Sequence, residues 1–562
     1  MQRGNRRGAR IAAMVATIAT AALAMTGCTA SASTGSSDAS GRYVNVYTGN
    51  PGAIPQNFNP FSSSVYWSPT GAILGSVYEP LFYFNTAKDE APQPWLAKSY
   101  TVSPDGKTYE ITLRSGVTWQ DGKPFSASDV AYTYNLIKSN PALNTYGLKL
   151  AGATATDSTH VSITLTQADY TNEYPLLGET FIVPEHLWKS VKDPTKYLNA
   201  KPVGTGAFEF GTYNSQSFTV VKNPHYYVKG EPSVAGLRFV SETGNTGGLN
   251  ALNAGKVDWA GIALEDVQKS FLDKNPKYNK DVVIPADIKV LIMNLTKAPF
   301  NDVNFRKALS LAVDRKAIIS QAFGGTDTPA NPTSLLQPRD EAFIPAQYKG
   351  KTLDENVSKA KQTLKDAGYT TDSSGHLLGK NHKPITFDIA TVTGYTDTIT
   401  ANQLLVEDFA KLGIQATSKQ MSLGAYSTAQ TTGEFDMLDD RIATGPTPFQ
   451  QFNTAFNYSL SAPIGKTASA DYARFDDPAV QKLLNTAAST NDPATTKSAY
   501  EQLGTYFAQN QPYIILSQNG AVSTYRDQYF TGWPTNDDLW ANPSNWIAQN
   551  VGWVAKRLKP RS

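Results

Sequence analysis

Polar and apolar positions alternate at period two in several short runs, which predicts strands. Residues 43–47 are the first of these, an aromatic-rich Tyr-Val-Asn-Val-Tyr. Between residues 100 and 113 two alternating runs flank Ser103-Pro-Asp-Gly106, the composition of a hairpin turn. Residues 160–165, 386–392 and 414–419 read as strands too, and 204–210 opens another sheet region. The run 288–295 is apolar nearly throughout and predicts a strand buried on both faces, with 513–516 a shorter one. Other stretches carry a helical period. Ser126-Ala-Ser-Asp129 is a capping box that opens a helix to about Ser139, and Pro141 stops it. Helical runs at 302–314 and 315–323 end at Gly324-Gly325, one at 353–367 ends at Gly368, and one at 401–412 ends at Gly413. Two more cover 479–488 and 498–509. This mixture predicts an α/β or α+β chain with several mixed sheets.

The first forty residues follow a different pattern. Arg3, Arg6, Arg7 and Arg10 precede a fifteen-residue apolar stretch, 11–25, broken only by Thr17 and Thr20. A bilayer span needs about 18–20 apolar residues, so this is the hydrophobic region of a secretory signal. It ends in Met25-Thr-Gly-Cys28, which resembles a bacterial lipobox, although Leu is usual where Met25 stands. The pair Arg6-Arg7 is a poor match to a twin-arginine signal. Cys28 is the only cysteine, which forbids an intramolecular disulfide and any multi-cysteine metal site. It reads as the lipidation site, since each buried acyl methylene contributes about 0.8 kcal/mol of anchoring. Residues 29–41 are mostly Ser, Ala, Thr and Gly, a flexible tether. The expected arrangement is a globular body held on the outer face of a cell membrane.

Charge and composition narrow the chemistry. Lys and Arg number 50 against 48 Asp and Glu, and removing residues 1–27 leaves 46 against 48. A nearly neutral body gives no electrostatic case for nucleic acid. Charged residues are only 17% of the chain and aromatics 11%, which excludes a disordered chain or a simple coiled coil. No Gly-x-Ser-x-Gly elbow or His-Glu-x-x-His occurs, and Gly204-Thr-Gly206 lacks the third glycine of a dinucleotide fingerprint. The five histidines are scattered, so no metal site and no cofactor is implied. Aromatics beside turns are the distinctive feature: Phe58, Phe61, Tyr66, Trp67, Trp119, Trp259, Trp533, Trp540 and Trp546. As a set they suit a large cleft with an apolar lining and a few polar contacts.

Four motifs, in order and at matching spacing, carry a resemblance. They are Leu113-Arg-Ser-Gly-Val-Thr-Trp-Gln-Asp-Gly-Lys-Pro-Phe-Ser-Ala-Ser-Asp-Val130, Val203-Gly-Thr-Gly-Ala-Phe208, Asn223-Pro-His-Tyr-Tyr227 and Asn301-Asp-Val-Asn-Phe-Arg-Lys-Ala-Leu-Ser-Leu-Ala-Val-Asp-Arg-Lys-Ala-Ile318. Together they resemble the family 5 extracytoplasmic solute-binding proteins of peptide and nickel ABC transporters, over about residues 43–550. The resemblance implies a fold like the type II periplasmic binding proteins, with three lobes, a hinge and a ligand cleft between lobes. Domain I is then 42–88, 202–290 and 520–562, domain II is an insertion at 89–201, and domain III is 291–519. Hinge strands fall near 288–293 and 516–521. A small-molecule ligand is trapped by closure and passed to ABC permease subunits. The expected protein is a tethered monomer, not an enzyme.

The ligand is left more open. Oligopeptide binders of this family carry an Asp, in a Trp-x-Ala-Asp-Tyr-x-x-Pro segment, that pairs with the peptide ammonium. The similar stretch here is Arg441-Ile-Ala-Thr-Gly-Pro-Thr-Pro448, with Thr444 in the place of that Asp and with Asp439 and Asp440 just upstream. The segments Asn57-Phe-Asn-Pro-Phe61 and Thr531-Gly-Trp-Pro-Thr535 instead look like those of members that bind β-linked oligosaccharides. Oligopeptides are the expected ligand and oligosaccharides the alternative. The ligand-binding candidates are Asn57, Phe58, Trp67, Trp259, Arg441, Thr444, Trp533 and Trp546. A secreted hydrolase is the rival from another class, because paired carboxylates need not be close in sequence.

Overall fold

The computed structural model describes residues 41–62, 72–88 and 90–561, so Cys28 and Trp67 lie outside the described residues. Two long strands organise these residues. Asn279–Met293 and Tyr513–Arg526 run antiparallel along nearly their whole length, from Asn279 opposite Arg526 to Ile292 opposite Tyr513. They form the middle of a ten-stranded mixed sheet. On one side follow Trp259–Ala260, Val44–Tyr47, Gly236–Val240, Ser217–Lys222 and Phe208–Asn214. On the other side follow Met437–Ile442, Thr386–Val392 and Gln415–Met421.

The ladder of the long pair slips between Pro285 and Asp287, opposite Gly520 and Asn519. Pro285 has no N–H to donate, and a bulge is where a strand tolerates that loss. The Thr444 hydroxyl donates to the carbonyl of Ala286, the residue skipped by the ladder. Gly520 is required opposite the slip, because a Cβ there would lie 2.1 Å from the Thr326 carbonyl oxygen.

Beyond the slip the strand is buried on both faces, as a strand covered by helices on both sides must be. Leu291 and Met293 pack with Phe305, Leu309, Leu405 and Phe409 from the helices Val303–Ala312 and Thr396–Ala410. Val290 and Ile292 point the other way, into a core with Phe452, Leu484, Leu503 and Phe507. Before the slip, Val282 and Ile284 belong to a third core, with Phe58, Phe208, Phe218, Trp259 and Trp533. Each long strand therefore contributes to different cores at its two ends.

A separate four-stranded sheet has the order Ala97–Val102, Thr108–Leu113, His160–Leu165, Leu150–Ala155. The helix Ala127–Ser139 packs with it around Ile111, Val130, Tyr134, Val161 and Ile163. Its start is fixed by the Asp129 carboxylate, which accepts the Ser126 N–H at 3.0 Å and the Glu185 N–H at 3.0 Å. Among the described residues no helix is long and apolar enough to cross a membrane.

The strands at 386–392 and 160–165 and the helix ending at Ser139 fall where the sequence pattern places them. Elsewhere the elements differ in extent. The strands expected at 288–295 and 513–516 are parts of the 15- and 14-residue pair. The helix expected from 353 begins at Val357, because Asn356 caps it by accepting the Lys359 N–H. The helix expected from 498 begins at Pro493, behind the cap Asp492. In both cases a capping side chain overrides the apolar period.

Candidate functional site

A cleft open to solvent lies where the slipped ladder meets loops from both ends of the sheet. One wall comes from Thr48 and Gly49 after the first strand, Asn245, and the segment Gly261 to Leu264. The opposite wall comes from Phe323, Asp327, Tyr395, Asp397 and Arg441. Lys289 and Asn519 to Val522, from the long pair, form the floor.

The apolar part of the wall includes Ile262, Leu264, Phe323, Val522 and Trp546. Trp546 lies close on the backbone of Gly261, where a Cβ would meet its ring at 2.4 Å. Glycine at this position lets an indole line the cleft.

The charged part of the wall is Lys289, Asp327, Asp397 and Arg441. Lys289 is 6% exposed, a cation within the apolar run Ile288 to Met293 of the long strand. Its Nζ lies 3.1 Å from Asp327 Oδ2 and 3.5 Å from the centroid of the Phe323 ring. Asp327 also accepts the Ser517 hydroxyl at 2.5 Å and the Gly520 N–H at 3.2 Å, so its charge is compensated from several sides. Arg441 stands 3.7 Å from Asp287. Asp397 accepts Asn245 Nδ2 at 3.0 Å.

Three carboxylates behind this wall are held above the usual carboxylate range. Burial holds Asp287 above the usual carboxylate range despite the nearby Arg441 and Lys289, and its Oδ1 has no hydrogen-bond partner in the protein. Burial and then the charge of Asp397 push Asp439 well up, and its Oδ2 also lacks a partner. Asp440 is pushed up to about 6, by burial, although it accepts the N–H of Arg441 at 2.8 Å and a bond from Gln430. Among the described residues no group of three or more His, Cys, Asp or Glu is arranged to hold a metal ion.

Of the residues singled out from sequence, the cleft brings together Arg441 and Trp546. Trp259 is fully buried, and its indole N–H is shared between Ser523 Oγ and the Pro543 carbonyl, both at 3.0 Å. Trp533 stacks on Tyr525 at 4.7 Å and donates to the Phe530 carbonyl. Phe58 is fully buried against Phe210 and Phe218. Asn57 accepts the Asn59 N–H at 3.2 Å in a local turn. Thr444 is tied to the ladder slip. Sequence reasoning did not single out Lys289, Asp327, Asp397 or Asn245. The lone Lys289 inside an apolar run was a signal for one of them, because a buried ammonium needs a partner.

The matches to known proteins agree with this geometry. Residues 91–462 match the model of the bacterial extracellular solute-binding proteins, family 5. The chain is 30% identical over 478 residues to the glutathione-binding protein GsiB of Salmonella typhimurium, covering 81% of this chain and 85% of that protein. It is 26% identical over 488 residues to the nickel-binding periplasmic protein of Escherichia coli, covering 83% and 88%. Among solved structures, a mannohexaose-bound periplasmic oligopeptide-binding protein of Thermotoga maritima superposes with a TM-score of 0.84 at 23% identity, over 92% of this chain and 98% of that one. The oligopeptide-binding protein AppA of Bacillus subtilis, in complex with a nonapeptide, superposes at 0.79 with 22% identity, over 93% and 100%. With a mixed α/β fold, a cleft at the centre of its main sheet and a family match over most of its length, the chain belongs to the family 5 solute-binding proteins of ABC transporters.

Proposed function

We propose that this protein captures short peptides outside the cell and delivers them to an ABC permease. One observation carries the reading: the cleft wall holds two cations, Lys289 and Arg441, and two carboxylates, Asp327 and Asp397, beside an apolar surface. A zwitterion with an apolar body, which is what a peptide is, complements such a wall at both ends. An oligosaccharide offers no charge to either set. Lys289 and Asp327 already pair with each other, but closing Asp397 and Arg441 over a neutral ligand would desolvate both charges with no Coulombic return from that ligand.

Capture proceeds by closure about the slip at Pro285–Asp287 and Asn519–Gly520. The division of domain I (42–88, 202–290, 520–562) from domain III (291–519) is supported by the change of apolar core across the slip of the long pair, whereas domain II (89–201) shares Trp95, Phe181 and Trp188 with the core of domain I. Closure excludes water and so strengthens the polar contacts to the ligand. The body works as a monomer, tethered through lipid on Cys28. Cys28→Ala should abolish incorporation of labelled fatty acid and release the protein from the membrane.

A thermal-shift screen tests the ligand class, with tri- to hexapeptides in one arm and cello-, xylo- and manno-oligosaccharides in the other. A ligand at 100 times its Kd adds about 2.7 kcal/mol of stability. Shifts with peptides alone sustain the reading. Shifts with sugars alone overturn it and assign the cleft to Trp546 and its neutral neighbours.

A further inference from the structure

The two walls of the cleft touch each other directly at one rim. The helix Asn245–Asn253 starts at Gly244, and the first N–H groups of a helix have no partner within it. Here the Asn245 N–H donates to the Gly394 carbonyl at 3.1 Å, across the cleft. The Asn245 side chain donates at 3.0 Å to Asp397 Oδ1, on the same opposite wall. Gly244 and Gly394 have φ of 114° and 93°, conformations that glycine adopts freely. A Cβ on Gly244 would lie 2.4 Å from the Gly394 oxygen, and one on Gly394 would lie 2.8 Å from the Thr243 oxygen. The approach needs glycine on both sides.

A second contact joins the inserted region 89–201 to the helices of the other wall. The Asp169 carboxylate accepts the Thr171 N–H at 3.0 Å and Asn172 Nδ2 at 2.6 Å, which fixes the loop between them. That loop presents the Tyr170 N–H to the Ala488 carbonyl at 2.8 Å and the Thr171 carbonyl to Gln450 Nε2 at 2.7 Å. Gln450 is itself oriented by the Thr447 hydroxyl, which donates to its Oε1 at 2.8 Å.

We propose that these two contacts are clasps that hold the cleft closed without help from ligand atoms, and that Asn245 is a positioning residue that turns Asp397 toward the ligand only on closure. Opening about the slipped ladder breaks both clasps together, because each joins parts of the chain on opposite sides of the cleft. The Asp397 carboxylate is then oriented by Asn245 at the moment of capture, so closure and charge recognition are one event. The inference rests on the reading of hinge closure around a ligand with a cationic end.

The test has two arms on the full chain. In the first, hydrogen exchange is followed without ligand at the amides of Asn245 and Tyr170. Gly394→Ala touches only the rim clasp, and it should speed exchange at both amides by about tenfold, because rigid closure couples them. Gln450→Ala should do the same from the other side. Unchanged protection in Asn279–Met293 verifies that the fold is intact. Acceleration confined to the substituted clasp, or none, overturns the coupling. In the second arm, trialanine and N-acetyl-trialanine are titrated into the parent and into Asn245→Ala. A loss of about tenfold for trialanine, against less than about threefold for the acetylated probe, supports the positioning role. Equal losses, or none, overturn it. Should the parent bind neither probe, the peptide reading falls, while the exchange arm still decides the clasps.

Discussion

Two buried ionic groups in this protein have opposite characters. One surrounds Glu79 and is sealed. Glu79 Oε1 accepts the Trp95 indole N–H at 2.7 Å and the Tyr226 hydroxyl at 2.8 Å, and Oε2 accepts the Thr205 hydroxyl at 2.8 Å. Lys556 donates to Tyr226 at 3.1 Å and lies 4.1 Å and 4.6 Å from the ring centroids of Trp553 and Trp95. The other group lies in and behind the cleft wall: Asp287, Asp327, Asp397, Asp439 and Asp440 gather around the cations Lys289 and Arg441. There, Asp287 Oδ1 and Asp439 Oδ2 lack partners. A polar group with both carboxylate oxygens bonded is a finished piece of architecture. What separates these two groups is that the sealed one bonds both oxygens of its carboxylate, whereas the cleft-side one crowds five carboxylates around two cations.

The strongest way to break this comparison is to attack the sealed group. Lys556→Met leaves Glu79 buried without a cation and should cost about 3–5 kcal/mol of stability. Urea unfolding followed by tryptophan fluorescence reads this directly, since Trp95 and Trp553 flank the site. Ligand selectivity should be unchanged. An unmoved midpoint would mean that the sealed group does not support the fold.

Asp397→Asn is the converse experiment. It keeps the shape of the side chain and removes a charge that lines the cleft. Losing a charge-assisted contact of about 1.5–3 kcal/mol should weaken binding of a peptide by roughly 10- to 150-fold. The urea midpoint should stay within about 0.5 kcal/mol of the parent. A variant that loses stability but not affinity would place Asp397 with the sealed group instead.

The sequence made some of this visible and hid the rest for physical reasons. Local rules were enough for the helix 127–139 and the strand 386–392, where cap, period and breaker all agree. The long strands were cut short because Asn279 to Asp287 carries Lys280, Asp281, Pro285 and Asp287, residues that argue against a strand until a bulge accommodates them. The aromatics beside turns suggested a cleft, yet Trp259 and Trp533 pack together with ring centroids 5.4 Å apart in a core closed by distant chain. An aromatic next to a proline looks the same in sequence whether the loop covers a core or a ligand. The charged wall was hidden because Asp327, Asp397 and Arg441 come from separate loops and elements, and Asp397 reads as an ordinary acid in a helix first turn.

The pH dependence sharpens the contrast next. Asp440 has its carboxyl pushed up to about 6, by burial, from an ordinary value of 3.8. Between those values the folded chain holds a proton that the unfolded chain has released. Its contribution to stability is therefore complete below about 3.8 and is lost as the pH rises through about 6. Asp440→Asn should flatten the fall in stability across that window relative to the parent, with urea midpoints at several pH values as the measurement. Parallel pH curves for the two proteins would show that Asp440 does not titrate there.

The smallest expected effect concerns Thr444, which the sequence resemblance led us to expect in the place of the oligopeptide binders' ammonium partner. Its hydroxyl donates to the Ala286 carbonyl at the ladder slip, and its side chain is not on the cleft wall. Thr444→Val keeps the branched shape and removes one hydrogen bond, worth about 0.5–1.5 kcal/mol. If Thr444 serves the hinge, equilibrium affinity for peptide should change less than about threefold, because no ligand contact is lost. Ligand release should change more than affinity does, since opening and closing rates share the hinge and shift together. Stopped-flow release and equilibrium titration on the same variant separate these effects. A drop in affinity as large as that of Asp397→Asn would instead place Thr444 among the ligand contacts and extend the functional group beyond the charged wall.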